Sequence, residues 1–290
     1  MYKELCFLSV TSSNPCGHRR AVVTCAVRNP VPLNRGVAAA TVGAALIAGS
    51  LVPWLDSLPP MPVLVKTAQY VVSNPQSVFS EDYDFDSIYM DERVLLIGKR
   101  PVLIKQLWGN PSETSTGVVV WPAGEKMSRY LSTKVPRAAL NRSNVLELGT
   151  GTGLTTIAVE KLGAKVTCTD GDPRMLELAK ENVRANGALK NVSFRQLRWG
   201  VEEDMKPLES TSWDWILGAD ITYKEGAWAD IAKTISRLAE KKTKVLIISQ
   251  RRGVDDIEKF LKTIQEHNLE CVRNTHTPAE VYMLNICDVK

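Results

Sequence analysis

A chain of 290 residues with 44% hydrophobic content can bury a substantial core, and it has room for one α/β domain with an extension. Its formal net charge of +4 is small, so the charge does not indicate a nucleic-acid-binding surface. The six cysteines form no Cys-x-x-Cys pair and only three histidines are present, so the sequence predicts no metal site.

The first 60 residues have the composition of a targeting segment and not of a folded domain. No Asp or Glu occurs between Cys6 and Leu55, whereas Arg, Ser, Thr and Ala are frequent, as is typical of an organelle transit peptide. Residues 36–55 carry no charge and are about as long as a membrane-spanning helix, although small residues lower their hydrophobicity. We therefore predict that residues 1–60 direct the protein to a chloroplast or mitochondrion. A permanent membrane tether through 36–55 and a cytoplasmic location are the alternatives.

Residues 61–115 are predicted to form an extension that begins with a proline-rich linker. The stretch 81–92 contains six acidic residues and no Lys or Arg, which is typical of a solvated loop. Its alternative role is long-range attraction of a basic protein. Two short apolar runs, 94–97 and 101–107, are separated by a glycine-containing turn and predict a β-hairpin ahead of the main sheet.

The most informative pattern is Val145-Leu-Glu-Leu-Gly-Thr-Gly-Thr-Gly153. Its apolar run predicts a buried strand, and the glycines that follow allow a tight turn and a close approach to a ligand. Helically spaced apolar residues come next, and then a second apolar strand that ends at Asp170. In open α/β sheets a carboxylate at this place accepts hydrogen bonds from ribose hydroxyl groups. The sequence therefore predicts a site shaped for a nucleotide.

The spacing of the glycines argues against a dinucleotide-binding oxidoreductase. The fingerprint GxGxxG requires a third glycine where this chain has Leu154. Instead, Glu147 is followed by glycines at every second position, namely Gly149, Gly151 and Gly153. A nucleotide-dependent oxidoreductase is therefore a disfavoured alternative.

Predicted strands and helices alternate through the rest of the chain, so the sheet is predicted to be mainly parallel. The first helix after Asp170 should begin at Asp172-Pro173, a capping side chain followed by proline at the first helical position. The further predicted strands are Val192–Leu197, Trp213–Leu217, Val245–Ser249, Glu270–Arg273 and Val281–Ile286, and the further helices are Trp228–Leu238 and Val254–Ile264.

Glu147 with its alternating glycines resembles motif I of class I methyltransferases that use S-adenosylmethionine. Together with four further short motifs, the region 116–288 resembles methyltransferase family 16, the seven-strand protein-lysine methyltransferases. The four motifs are Gly117–Ala123, Asn182–Asn186, Leu197–Gly200 and Gly218–Tyr223. The resemblance implies a Rossmann-like seven-strand sheet, mainly parallel with an antiparallel last strand, in a methyltransferase domain over 116–290.

The resemblance also implies a pocket for S-adenosylmethionine. Glu147 and the glycine turn would meet the amino-acid moiety of the cofactor, Asp170 its ribose, and the ring of Trp199 its adenine. The alternatives are a core position for the two tryptophans and a strand cap for Asp170. The residues assigned to the pocket are Trp121, Glu147, Gly149, Gly151, Gly153, Asp170, Trp199 and Asp220.

Asp220 and Tyr223 are the predicted catalytic residues. They lie three residues apart just after the fourth strand, at the end where parallel sheets bind ligands. We expect Asp220 to accept a hydrogen bond from the substrate amine and Tyr223 to form a wall of the acceptor channel. Ordinary packing at a helix start is the alternative for Tyr223. Methyl transfer needs alignment and exclusion of water more than an acid, which fits the lack of a histidine-centred group.

The predicted acceptor is a lysine side chain of a protein, and the enzyme is expected to be a monomer. Nucleic acid is disfavoured, because the segment 220–223 lacks the NPPY-like turn with which methyltransferases hold a flipped base. A histidine side chain, a small-molecule amine, and a catalytically silent binding module with the same fold remain the alternatives.

Overall fold

The computed structural model describes residues 88–98, 100–109, 115–252, 256–274 and 281–289. The predicted targeting segment at 1–60, with its alternative tether at 36–55, lies outside the described residues, as does most of the acidic stretch 81–92. In the described part of the chain, no helix combines the length and the apolar character needed to cross a membrane.

Nine strands make up two sheets in the described residues. They are β1 (Glu92–Ile97), β2 (Arg100–Lys105), β3 (Asn144–Leu148), β4 (Lys165–Asp170), β5 (Val192–Gln196), β6 (Trp215–Ala219), β7 (Lys244–Gln250), β8 (Leu269–Asn274) and β9 (Val281–Val289). The main sheet has the order β5-β4-β3-β6-β7-β9-β8, in which the first five strands are parallel and β9 runs antiparallel to both of its neighbours. This confirms the predicted fold class.

Helices cover both faces of the main sheet and bury two apolar clusters against it. They are α1 (Pro122–Thr133), α2 (Arg137–Leu140), α3 (Leu154–Glu160), α4 (Pro173–Ala185), α5 (Glu202–Met205), α6 (Trp228–Leu238) and α7 (Asp256–Glu266). The sequence did not predict α1, although Pro122 at its start and the buried residues Ala123, Met127 and Leu131 at every fourth position carry the signal.

The predicted fourth strand, Trp213–Leu217, lies two residues later in the structure, at Trp215–Ala219. Trp213 precedes the strand, yet its side chain is buried in the core and its Nε1 donates to the carbonyl of Leu208 at 3.2 Å. A large apolar side chain just before a strand therefore shifted the predicted boundary towards the amino terminus.

The predicted hairpin is present as β1 paired antiparallel with β2. Its second strand ends at Lys105, two residues before the predicted end. The apolar face of the hairpin, which includes Leu95 and Ile104, shares one hydrophobic cluster with Ile157 of α3 and Val183 of α4. The hairpin is therefore packed on the helical layer that covers β3 and β4.

Two asparagines, Asn182 of α4 and Asn186 at its C-cap, bind the free edge of β2 as a neighbouring strand would. The backbone N–H groups of Leu103 and Lys105 donate to the Oδ1 atoms of Asn186 and Asn182 at 3.0 and 2.8 Å. The Nδ2 atoms of the same asparagines donate back to the carbonyls of Leu103 and Lys105 at 2.7 and 3.0 Å. The i, i+4 spacing on the helix thus matches alternate residues of the strand, and it satisfies backbone groups that would otherwise be buried unpaired.

Replacing Asn182 by Ala is expected to lower the free energy of unfolding by about 3 kcal/mol, because it leaves one buried and two partly buried backbone groups without a partner. These groups are the N–H and carbonyl of Lys105 and the carbonyl of Thr152. Urea unfolding measures the loss. The control is Glu177→Ala on the exposed side of α4, which should change the free energy by less than about 0.5 kcal/mol. Equal losses in both variants would contradict the role assigned to Asn182.

Buried polar contacts also hold the segment before α1 against the hairpin. Arg93 of β1 pairs with Glu125 of α1 at 3.1 Å, and its Nη1 donates to the carbonyl of Val120 at 3.4 Å. The N–H of Val120 donates to Oε1 of the buried Gln106 at 2.9 Å. The hairpin therefore positions residues 115–121, which reach the cavity described below.

Candidate active site

A cavity of about 590 Å³ opens over the carboxyl ends of the parallel strands. Its walls come from the segment 115–121, the glycine turn after β3, the end of β4 and the residues that follow β5, β6 and β7. This is the edge at which open α/β sheets bind their ligands. The cavity is lined by eight of the nine predicted site residues, namely Trp121, Glu147, Gly149, Gly151, Asp170, Trp199, Asp220 and Tyr223.

The glycine turn after β3 brings backbone close to the cavity, because Gly149 and Gly151 have positive φ angles of 67° and 52°. A Cβ on Gly149 would lie 3.0 Å from Cγ2 of Ile221 and 3.1 Å from Cζ2 of Trp199. A Cβ on Gly151 would lie 2.9 Å from the carbonyl oxygen of Gly117 across the cavity wall. Both positions therefore require glycine for backbone conformation and for space.

Gly153 does not line the cavity, in contrast to its predicted place in the cofactor pocket. It is the N-cap of α3, with a φ of 82°, and a Cβ at this position would lie 3.1 Å from Cα of Ala179 in α4. The residue allows two helices to pack closely. A pattern of alternating glycines does not distinguish a glycine that faces a ligand from one that faces a helix.

Glu147 lies at the inner wall of the cavity with only 2% of its surface exposed. The Thr150 hydroxyl donates to its Oε2 at 2.9 Å, and the Thr156 hydroxyl donates to the same oxygen. Burial raises the pKa of Glu147 to about 7, although the threonine hydroxyl groups partly oppose this shift. A positively charged group of a ligand would stabilise the ionised carboxylate at this place.

Asp170 ends β4 beside the glycine turn, as predicted. Its Oδ2 accepts a hydrogen bond from the N–H of Gly151 at 3.1 Å, and its Oδ1 accepts one from the N–H of Asp172 at 3.0 Å. Burial raises the pKa of Asp170 above its usual value, and the backbone donors partly offset this effect. Asp170 thus caps the end of its strand and also presents a carboxylate to the cavity.

The two predicted tryptophans line the cavity and also pack against buried residues of the protein. Trp199 packs against the core cluster that contains α6, and its Nε1 is buried without a hydrogen-bond partner among the described residues. Trp121 is the N-cap of α1, and its Nε1 donates to the carbonyl of Thr116 at 2.8 Å. The two predicted roles, ligand contact and core packing, are therefore compatible in this geometry.

Asp220 follows β6 and forms a paired contact that the sequence patterns did not predict. Nη1 and Nη2 of Arg252 donate to Oδ1 and Oδ2 of Asp220 at 2.7 and 2.8 Å, and the N–H of Gln250 donates to Oδ1 at 3.2 Å. Arg252 also lines the cavity. The only sequence signal for it was its position just after a buried parallel strand, at the ligand-binding edge.

Tyr223 lies at the mouth of the cavity, with 37% of its surface exposed. Its hydroxyl oxygen accepts a hydrogen bond from the Thr116 hydroxyl at 3.1 Å, across 107 residues of sequence. The guanidinium carbon of Arg252 lies 6.0 Å from the centre of its ring. The placement fits a wall of the cavity, and the role of Tyr223 in accepting a substrate stays a prediction.

An antiparallel strand inserted at one edge of a parallel sheet, together with a glycine-lined cavity above β3 and β4, defines the fold of class I methyltransferases. The family model described as lysine methyltransferase, methyltransferase family 16, matches residues 102–267. Because the match covers more than half of the chain, the chain belongs to this family. The match begins within β2, earlier than the motif resemblance that starts at Thr116.

Named relatives agree with this assignment. The chain is 39% identical over 168 residues to protein N-lysine methyltransferase METTL21A of Xenopus tropicalis, which covers 57% of this chain and 73% of the relative. It is 30% identical to the calmodulin-lysine N-methyltransferase of Arabidopsis thaliana, over 58% of this chain and 56% of the relative. The T. thermophilus 16S rRNA N2 G1207 methyltransferase, solved with AdoMet and guanosine, superposes with a TM-score of 0.52 at 16% identity, over 69% of this chain and 50% of that one. The last likeness concerns the fold alone.

Proposed function

We propose that this protein transfers a methyl group from S-adenosylmethionine to lysine side chains of a protein. Membership of the lysine methyltransferase family carries the proposal, and the cavity over the carboxyl edge of the sheet supports it. When bound, S-adenosylmethionine supplies an electrophilic methyl group on a sulfonium that leaves as a neutral thioether. The methyl group's new bond is to the lysine nitrogen, whose proton passes to solvent.

The residues of the cavity fit this cofactor in four respects. The turn at Gly149 and Gly151 leaves space that a side chain would fill. Glu147 is a buried carboxylate whose ionised form a cationic amino group would stabilise. Trp199 offers a flat ring with an unpaired Nε1, and Asp170 has lone pairs that remain for ribose hydroxyl groups.

In the proposed reaction, residues that follow β6 and β7 bind the lysine that accepts the methyl group. A free lysine amine has a pKa near ~10.4, so it must lose its proton before it attacks. Asp220 accepts a hydrogen bond from this amine in our proposal, through the lone pair of Oδ2 that its contacts with Arg252 and Gln250 do not use. Tyr223 limits the access of water at the mouth.

Two glycine variants separate the cavity from the helix packing behind it. Gly151→Ala is expected to weaken the binding of S-adenosylmethionine at least about tenfold, because the new Cβ meets Gly117 in the cavity wall. Gly153→Ala is expected to destabilise the fold by about 1–2 kcal/mol, while the dissociation constant changes less than about twofold. Calorimetric titration and thermal unfolding measure both effects. A loss of affinity for S-adenosylmethionine larger than about twofold in Gly153→Ala would indicate that Gly153 is part of the cofactor pocket, as the sequence predicted.

The proposed function is tested with a tritium-labelled methyl donor in a whole-cell lysate, with the Asp170→Ala variant as control. We expect label on a protein with the unchanged enzyme and none with the variant. Mass spectrometry of the labelled protein then identifies the residue. A label on histidine or on a small molecule would select one of the alternatives, and binding of the donor without any transfer would support a silent module.

We propose that residues 1–60 direct the protein to an organelle, on the grounds that no Asp or Glu occurs between Cys6 and Leu55. A fusion of residues 1–60 to a fluorescent protein is expected to reach a chloroplast or mitochondrion, whereas a fusion of residues 61–290 is not. Carbonate extraction distinguishes a cleaved signal from a tether through 36–55. Cytoplasmic fluorescence of the first fusion would contradict the proposal.

A further inference from the structure

We infer that Arg252 is a positioning residue for methyl transfer, because it holds the carboxylate of Asp220 in one orientation beside Tyr223. The inference rests on the proposed function and adds a residue that lies outside the motifs of the sequence. Arg252, Asp220 and Tyr223 all line the same cavity, although Arg252 comes from a different strand end.

The backbone of Asp220 adopts a conformation that needs support. Its φ of 59° lies in the left-handed region, which a residue other than glycine occupies at a cost of the order of 1 kcal/mol. The N–H of Asp220 donates to the carbonyl of Ile248 in β7 at 2.7 Å, and the N–H of Gln250 donates to its Oδ1. The end of β7 therefore determines where the side chain of Asp220 begins.

Arg252 then determines where the carboxylate points. Its guanidinium binds both carboxylate oxygens, and this two-point geometry restricts rotation of the carboxylate as a single point charge would not. The side chain of Asp220 is 5% exposed and that of Arg252 is 37% exposed. The carboxylate is thus buried behind the guanidinium, and without this partner its burial would be strongly unfavourable.

The position of Arg252 also affects the form of the amine that the cavity favours. Its guanidinium lies 6.0 Å from the ring centre of Tyr223, and Lys224 Nζ lies 5.6 Å from the same centre. Fixed positive charges beside Asp220 and Tyr223 oppose the binding of a protonated lysine, which cannot attack a methyl group. Arg252 therefore orients the Asp220 carboxylate as the hydrogen-bond acceptor for the amine. It also weakens the attraction of this carboxylate for the unreactive ammonium form.

A double-mutant cycle tests whether Arg252 acts through Asp220. The rates of labelled methyl transfer to a fixed pool of lysate protein, at saturating S-adenosylmethionine, are compared for Arg252→Gln, Asp220→Asn and the double variant. We expect Arg252→Gln alone to lower the rate about 10- to 100-fold, since small misplacements at a reacting centre have effects of this size. In the Asp220→Asn background the same change should lower it less than about threefold. Independent, multiplicative losses would overturn the inference.

Further variants separate positioning from folding. Arg252→Lys keeps the charge without the two-point geometry, so its rate should lie between those of the unchanged protein and Arg252→Gln. Arg237→Gln, which breaks a surface pair with Glu209, should leave the rate unchanged. Affinity for S-adenosylmethionine, measured by calorimetry, should stay within about threefold in the Arg252 variants, because the proposed change lies on the acceptor side. An equal loss of affinity and rate would contradict this division.

A crystal structure of Arg252→Gln supplies a readout that does not depend on activity. We expect its Asp220 carboxylate to turn away from the orientation seen here, and an unchanged orientation would overturn the inference. If the unchanged protein binds S-adenosylmethionine but labels no protein, the proposed function fails, and this crystal structure still decides whether Arg252 holds Asp220. If Arg252→Gln does not fold, the same comparison is made with Arg252→Lys.

Discussion

At pH 8, the Glu147→Gln variant is expected to unfold about 6–10 °C above the unchanged protein and to bind S-adenosylmethionine at least about tenfold more weakly. Burial raises the pKa of the Glu147 carboxyl to about 7, from an ordinary value of 4.5. Its ionisation in the folded chain therefore lowers stability by on the order of 3 kcal/mol at high pH. Glutamine removes this loss, but it also removes the charge that would face the amino group of the cofactor.

The pH dependence of this effect has a definite sign. The folded chain holds the Glu147 proton more tightly than the unfolded chain, so the contribution of this group to stability falls as pH rises from about 4.5 to 7. The difference in unfolding temperature between the variant and the unchanged protein should thus reach its maximum above pH 7 and vanish near pH 4.5. Thermal unfolding at a series of pH values measures it.

Glu160→Gln is the matched control for Glu147→Gln. Burial also raises the pKa of the Glu160 carboxyl, but this residue does not line the cavity. Its replacement should leave the affinity for S-adenosylmethionine unchanged within about twofold. A stability difference that stays constant across pH would contradict the proposed role of Glu147 as a buried carboxylate that binds the cationic amino group of the cofactor. Unchanged affinity of Glu147→Gln for S-adenosylmethionine would contradict it as well.

Tyr223→Ala is expected to reduce the turnover number about 100-fold and to change the affinity for S-adenosylmethionine less than about threefold. The change removes a ring at the mouth of the cavity together with its contact to the Thr116 hydroxyl. Water would then enter the acceptor side, and the amine would lose a wall that orients it. Single-turnover rates with labelled donor, together with calorimetry, measure the two effects separately.

Tyr223→Phe distinguishes the ring of Tyr223 from its hydroxyl group. This variant keeps the wall and loses only the hydrogen bond with Thr116, so its turnover number should fall less than about tenfold. If Tyr223→Ala lost rate and donor affinity equally, Tyr223 would be part of the cofactor pocket and not of the acceptor channel.

The sequence predicted those parts of the fold and site that depend on short stretches of chain. Asp172 caps α4 as expected, since its side chain accepts from the N–H of Arg174 at 2.9 Å. The glycine turn and Asp170 also lie where their spacing indicated, because a strand followed by a turn determines the position of both. Strand and helix alternation was sufficient for the fold class, which the sheet order confirms.

Contacts between distant segments could not be predicted in this way. Arg252 and Asp220 are 32 residues apart, as are Arg93 and Glu125, and the residues around either arginine do not indicate which carboxylate it pairs with. Arginines are common on protein surfaces, so their presence in the sequence does not indicate a pair. The pairs become visible only when the three-dimensional structure shows which strand ends or elements lie side by side. Gly153 shows the opposite case, in which the regular glycine pattern continues past the part of the turn that lines the cavity.

The asparagines that pair with β2 also affect the chemical durability of the chain. Asn186 is followed by Gly187, a dipeptide whose glycine nitrogen readily attacks the asparagine side chain and releases ammonia. In the folded protein the Asn186 amide is held by Leu103 and Asn182, and the N–H of Gly187 donates to the carbonyl of Arg184. These hydrogen bonds oppose the attack, so we expect the succinimide to form more slowly while the hairpin is docked. If the hairpin detached, deamidation of Asn186 would be irreversible. The resulting carboxylate has no N–H group to donate to the carbonyl of Leu103, so the hairpin would lose this contact permanently.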